Sequence, residues 1–199
     1  YVRVFNSHAY MHTHRGAPDI VSDLRSFGHH VLEFTSNRKS RERASSDWDS
    51  KGYGVTVVPE LFNQLLLNPR ASFELATWVT RGGHLVVCGD YFGHNGRLLN
   101  RLFGWELQGV LSRHKPVKSR TCGPFCDGPD SLEWSPEVSC YAGSSLPSEV
   151  VAAYNCSSAV CVFTAEHGSG RVTYLGFDWY NRTRKSWREV LHLAIVHSG

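Results

Sequence analysis

The chain has 199 residues, 21 basic and 18 acidic, for a formal net charge of +3. That length can build one substantial domain around a buried core, and the near balance of charge gives no general argument for nucleic acid or an anionic surface as partner. No run of about 18 apolar residues is present, so no membrane insertion is expected within the chain.

Val2-Arg3-Val4-Phe5 opens the chain as a first strand, extending to residue 7, as at a processed terminus or the edge of an excised domain. A helix begins at Ala17-Pro18-Asp19, with Pro and Asp in the first turn, where free amides and the helix dipole suit them, and Gly28 ends it. His30–Phe34 is a short second strand, and the polar stretch 35–51 is a long surface loop or a frayed helix. Val55-Thr56-Val57-Val58 and Leu85-Val86-Val87-Cys88 lack the alternation of a half-wet strand, so both suit strands covered on two faces. The helix between them carries an apolar stripe at Leu75, Trp78 and Val79. A further helix over Arg97–Phe103 is capped by Asn95 and closed by Gly104. Residues 105–111 read as a strand, 112–148 as a turn-rich, cysteine-rich excursion, and 150–154, 160–164 and 171–175 as antiparallel strands. The last two are joined by a glycine-bearing loop at 165–170. Trp187, Val190, Leu191, Ala194 and Ile195 then mark a closing amphipathic helix. The order predicts an α/β fold: a three-layer flavodoxin-like sandwich with a mainly parallel sheet, an antiparallel extension and a cysteine-rich insertion at about 112–148, all in one domain over 1–199.

Five of the six cysteines, Cys122, Cys126, Cys140, Cys156 and Cys161, fall within 40 residues among Gly, Pro and Ser, where covalent ties substitute for core. Disulfides are the favoured reading, with connectivity open. A zinc site built on Cys122 and Cys126 is the alternative. Two sequons, at Asn155 and Asn181, join the cysteines in favouring a secreted or cell-surface setting. The basic runs 38–43, 113–120 and 182–188 lack interleaved aromatics and read as solvated faces, so no nucleic acid is expected.

The runs Val57-Val58-Pro59-Glu60-Leu61, Trp78-Val79-Thr80-Arg81-Gly82-Gly83 and His84-Leu85-Val86-Val87-Cys88-Gly89-Asp90, with Gly168 to Asp178 near the end, resemble the class I glutamine-amidotransferase-like superfamily. They are most similar to its non-hydrolysing members, such as the trimerisation domain of certain bacterial beta-galactosidases. The resemblance covers most of 2–111 and 160–196. It implies a catalytic cysteine in a Gly-x-Cys-x-Gly elbow, partnered by a late His-x-Glu pair. Cys88 lies on the corresponding strand, but Val86 and Asp90 stand where the glycines belong, and the late pair is missing.

Cys88 therefore has three readings: a buried strand residue, a sixth disulfide partner, or a nucleophile with His8, His94 or His167 as base. His8, His12 and His14 follow the first strand and form either a metal-free loop or a ligand set for zinc, copper or nickel. His8, Tyr10, His12, His14, Asp90, Tyr91 and Trp179 fall at strand ends, the edge where open parallel sheets bind ligands. No cofactor is expected. The leading function is a non-catalytic interaction or assembly domain with a protein partner, a second copy or a glycan as ligand. The alternatives are a cysteine- or metal-dependent hydrolase using Cys88, and a structural subunit of an extracellular assembly.

Overall fold

The computed structural model of the chain describes residues 1–11, 16–35, 54–180 and 184–197. Strands β1 (Val2–Phe5), β2 (Val31–Phe34), β3 (Val55–Val58) and β4 (His84–Cys88) form a parallel block in the order β2-β1-β3-β4. β1, β3 and β4 are buried at every position, which accounts for their unbroken apolar runs. Helix α1 (Ala17–Ser26) leads from β1 to β2 and α2 (Pro69–Thr80) from β3 to β4. The two crossovers run in opposite directions along the sheet, so right-handed connections put α1 and α2 on opposite faces. The three layers expected from sequence follow.

Helix α3 (His94–Phe103) packs beside α2, and the closing helix α4 (Lys185–Val196) packs beside α1. Trp187, Val190, Leu191, Ala194 and Ile195 are all buried, as their spacing requires. In α2 the buried stripe is Ala71, Leu75 and Val79, with Trp78 only half-buried at its margin.

Beyond β4 the sheet becomes mixed. β10 (Gly170–Leu175) joins β4 in parallel and β9 (Ala159–His167) in antiparallel fashion. β8 (Val150–Cys156) lies along one side of β9. On the other side β10 covers β9 from Val162 onward, and β7 (Ser139–Ala142) takes over at Val160 and Ala159. β5 (Gly109–Leu111) pairs with β7 and β6 (Val117–Lys118) with β8. The expected strand over 105–111 is thus confined to its last three residues. The side chain of Asn100 bonds both the amide (2.8 Å) and the carbonyl (3.2 Å) of Leu107, so this backbone is paired to a helix rather than to a strand. The 165–170 loop shortens to Gly168-Ser169, because β9 pairs as far as His167.

Candidate functional site

In the order β2-β1-β3-β4 the crossover direction reverses between β1 and β3, which makes the carboxyl ends of these strands the default ligand crevice. The loops above it close on each other. The Tyr10 carbonyl accepts from the amides of Phe62 (2.8 Å) and Asn63 (3.2 Å), and Asn63 Nδ2 donates to the Ala9 carbonyl. Tyr10 and Met11 are buried beneath this bridge.

The turn from β4 to α3 is where an elbow nucleophile would sit. Its left-handed residue is Gly89, at φ 66°. A Cβ there would lie 2.9 Å from Glu60 Cβ and 3.0 Å from the Asp178 Cα, so the position has no room for a nucleophile's side chain. Cys88 sits one residue earlier, inside the strand, at 0% exposure, and burial pushes its thiol up, away from the thiolate. Of the three readings of Cys88, the buried strand residue is the one found; it is a free thiol in no disulfide.

The turn's amides, which in an elbow supply an oxyanion hole, are spent inside the protein. Gly89 N–H donates to the Leu175 carbonyl (2.8 Å), Asp90 N–H to Ser139 Oγ (2.7 Å) and Tyr91 N–H to Glu60 Oε1 (2.5 Å). Gly93 N–H goes to the Asp90 carbonyl (3.0 Å) and Asn95 N–H to Asp90 Oδ1 (2.7 Å). Asp90 thus satisfies an amide of the first turn of α3, whose cap position is Gly93 rather than the expected Asn95. Asn95 instead lies within the helix and donates through Nδ2 to the carbonyls of Pro59, Cys88 and Gly89. Tyr141 closes the set from β7, donating to Asp90 Oδ2 at 2.8 Å. The approach is so close that a Cβ on Gly96 would meet Asp90 Oδ2 at 2.7 Å.

Burial shapes the acidity of this edge. Glu60 is pushed up to about 8, first by desolvation and then by the charges of Asp178, Asp90 and Glu137, against the opposing Tyr91 amide. Desolvation likewise lifts Asp90 and Asp178 to about 6, with hydrogen bonds opposing it in each case. Glu60 Oε2 and Asp178 Oδ2 are enclosed without a hydrogen-bond partner, while Asp178 Oδ1 accepts from the Tyr180 amide in a local turn. Among the described residues, no group of three or more His, Cys, Asp or Glu is placed to hold a metal ion.

Several expected ligand residues sit elsewhere. Trp179 is fully buried and donates from Nε1 to Asp23 Oδ2 at 3.0 Å, so it belongs to the α1–α4 core rather than to an open edge. Tyr10 is also buried. His8 is exposed, whereas His12 and His14 lie outside the described residues, as does Asn181. His94 opens α3 and stacks on Phe92 at 6.5 Å. His167 pairs with Gly170, next to the residue aligned with His84 at the start of β4. Gly170 is five residues from Leu175, the partner of Cys88, so His167 lies about 16 Å or more from the cysteine along the strands, which excludes it as a base. Asn155 lies in β8 with its side-chain oxygen enclosed.

Four of the five clustered cysteines pair, Cys122 with Cys126 and Cys140 with Cys161. Cys156, expected among the bonded set, is a buried thiol. Cys140–Cys161 ties β7 to β9 where β10 ends.

Tyr91 remains as an exposed edge residue beside Phe92, the aromatic that follows it in sequence at the same strand end, and Phe62 joins them as the member that sequence reasoning left out. Phe92 packs edge-on against both Tyr91 (5.1 Å) and Phe62 (4.9 Å), and all three rings are exposed. Beside them a cavity of about 400 Å³ is walled by Tyr91, Phe92, Arg97, Asn100, Val110 and Leu111. Among the described residues β5 is the last strand on its side of the sheet, and its exposed Val110 and Leu111 extend this surface to that edge.

No protein-family model matches the chain, and no curated protein matches it by sequence. Solved structures share its fold. A beta-galactosidase from Bacillus circulans sp. alkalophilus aligns at TM-score 0.61 and 13% identity, over 99% of this chain and 30% of that one. A ThuA-like protein from Bacteroides uniformis aligns at 0.58 and 12%, over 98% and 89%. The N-terminal domain of mmIFT52 aligns at 0.63 and 12%, over 98% and 96%. At these identities the likeness is one of fold, consistent with the amidotransferase-like scaffold read from the sequence.

Proposed function

We propose that the chain is a non-catalytic binding module, in which an amidotransferase-like crevice has been filled and contact with a protein partner, or a further copy of the chain, is made through the aromatic edge beside it. The observation that carries this reading is the strand–helix turn. Its left-handed residue is Gly89, without a side chain, and the amides of Gly89, Asp90 and Tyr91 all serve internal acceptors. A turn with no side chain at its left-handed residue, and with these amides bonded internally, offers neither the elbow nucleophile nor the oxyanion donors that acyl transfer uses there.

The exposed rings of Phe62, Tyr91 and Phe92 support the binding half, since contiguous aromatics next to a concave surface suit a protein interface. The two disulfides favour an oxidising compartment, so the proposed setting is secretory or extracellular. A glycan is a second candidate at the same edge, because Tyr91 stands beside a cavity that also offers Arg97 and Asn100.

The test has two parts. Glutaminase, amidase and esterase assays should give no turnover that a Cys88→Ser variant abolishes; such turnover would overturn the non-catalytic reading. Sedimentation across a concentration range should show self-association that Tyr91→Ser/Phe92→Ser removes. A strictly monomeric wild type would leave a heterologous partner or a glycan, and glycan-array binding lost in Tyr91→Ala would select the latter.

A further inference from the structure

Outside this edge, the imidazole of His29, in the turn between α1 and β2, faces that of His192 on α4. His29 Nε2 stands 3.0 Å from His192 Nδ1, with ring centroids 5.1 Å apart. We propose that His29 and His192 form a two-histidine site for a borderline divalent cation, Zn²⁺ foremost, that pins the end of α1 to α4.

The pair is preorganised from both sides. Phe27 stacks on His192 at 4.5 Å and 16°, which fixes the plane of that ring. The His29 amide bonds the Leu24 carbonyl, holding the residue against the end of α1. The two helices are themselves locked together, since Asp23 on α1 pairs with Arg184 (2.8 Å) and with Arg188 on α4 (3.0 Å). Both imidazoles are half-buried, which leaves a path for an ion and for the waters that would complete its shell.

Two nitrogens bound to one tetrahedral Zn²⁺ at about 2.0–2.1 Å lie about 3.3 Å apart. The pair thus needs to open by only a few tenths of an ångström from its 3.0 Å separation. Imidazole is a preferred donor for zinc, copper and nickel, and it binds in the neutral form. Burial and the neighbouring His192 hold His29 below its ordinary acidity range, favouring that form. The proton between the rings does not leave the protein on binding. It moves through solvent from the shared nitrogen to the outer nitrogen of the same ring, so both facing lone pairs become donors. The nearby guanidiniums do not confront the ion as bare charges, because Arg25 pairs with Glu33 and Arg188 with Asp23.

The test uses tag-free protein, titrated with Zn²⁺ by calorimetry and melted with and without the ion. One equivalent should bind and raise Tm, with chelator reversing the rise. His29→Gln and His192→Gln, each melting like the wild type without metal, should weaken binding about tenfold or more and lose the Tm rise, while His12→Ala/His14→Ala keeps both. Undiminished binding in the first two variants, or no binding by the wild type, would overturn the site. Neither outcome bears on the aromatic edge, which is tested separately by sedimentation.

Discussion

Replacing Glu60 by Gln isolates the most strongly perturbed carboxyl of the crevice. Glu60 is 1% exposed, with Oε1 accepting from the Tyr91 amide and Oε2 enclosed without a partner. Its folded pKa of about 8 stands above the ordinary 4.5, so the folded protein holds a proton that the unfolded chain releases. Stability from this group is therefore fully present below pH 4.5 and is lost as pH rises towards 8. Integrating the linkage between those two pKa values from pH 5 to pH 8, at about 1.36 kcal/mol for each pH unit of one-proton difference, gives a loss of about 3.5 kcal/mol. Gln keeps the shape and the acceptor for Tyr91, and it cannot ionise. Urea denaturation of the oxidised protein should give nearly equal stabilities for wild type and Glu60→Gln at pH 5, and a variant about 3 kcal/mol more stable at pH 8. A wild-type-minus-variant difference that does not change with pH, or a variant less stable at pH 8, would refute the buried, protonated Glu60.

Three further changes probe the frame around the crevice. Asp23→Ala should cost about 3–5 kcal/mol in chemical denaturation, because it leaves Arg184, Arg188 and the Trp179 indole without their buried acceptor. Gly96→Ala lies in a helix, where Ala ordinarily gains about 1 kcal/mol; here the added Cβ meets Asp90 Oδ2 at 2.7 Å and Tyr141 Oη at 2.9 Å. It should instead lower stability by about 1–3 kcal/mol, read from the urea midpoint. Removing the Cys140–Cys161 bond in Cys140→Ala/Cys161→Ala, which opens a loop with a sequence separation of 21, should cost about 3 kcal/mol.

The parallel block was legible because it is written in local pattern: buried runs at 55–58 and 85–88, and the 187–195 stripe of the last helix, each carry their periodicity in the chain. The crevice was legible in outline, since Val86 and Asp90 in place of glycines argued against an elbow before any geometry was known. What Asp90 does instead depends on Ser139 and Tyr141, 49 and 51 residues away, and no local signal announces such partners. Trp179 misled for a similar reason. Its position after a strand suggested an edge residue, but its indole is claimed by Asp23, 156 residues earlier. The three-residue β5 shows tertiary context overriding local propensity, because one Asn100 side chain satisfies both backbone groups of Leu107. Cysteine pairing could not follow from spacing alone, and the exclusion of Cys156 reflects which strands come to lie side by side.

The central claim, a crevice whose chemistry has been replaced by internal packing, is tested most directly by the labelling rate of Cys88 in the native protein. Iodoacetamide labelling followed by peptide mass spectrometry should leave Cys88 unmodified for as long as the protein stays folded, with stoichiometric modification only in denaturant, as expected of a thiol at 0% exposure whose ionisation is suppressed by burial. Rapid, stoichiometric alkylation of Cys88 under native conditions would contradict the account and return the cysteine to the candidates for catalysis.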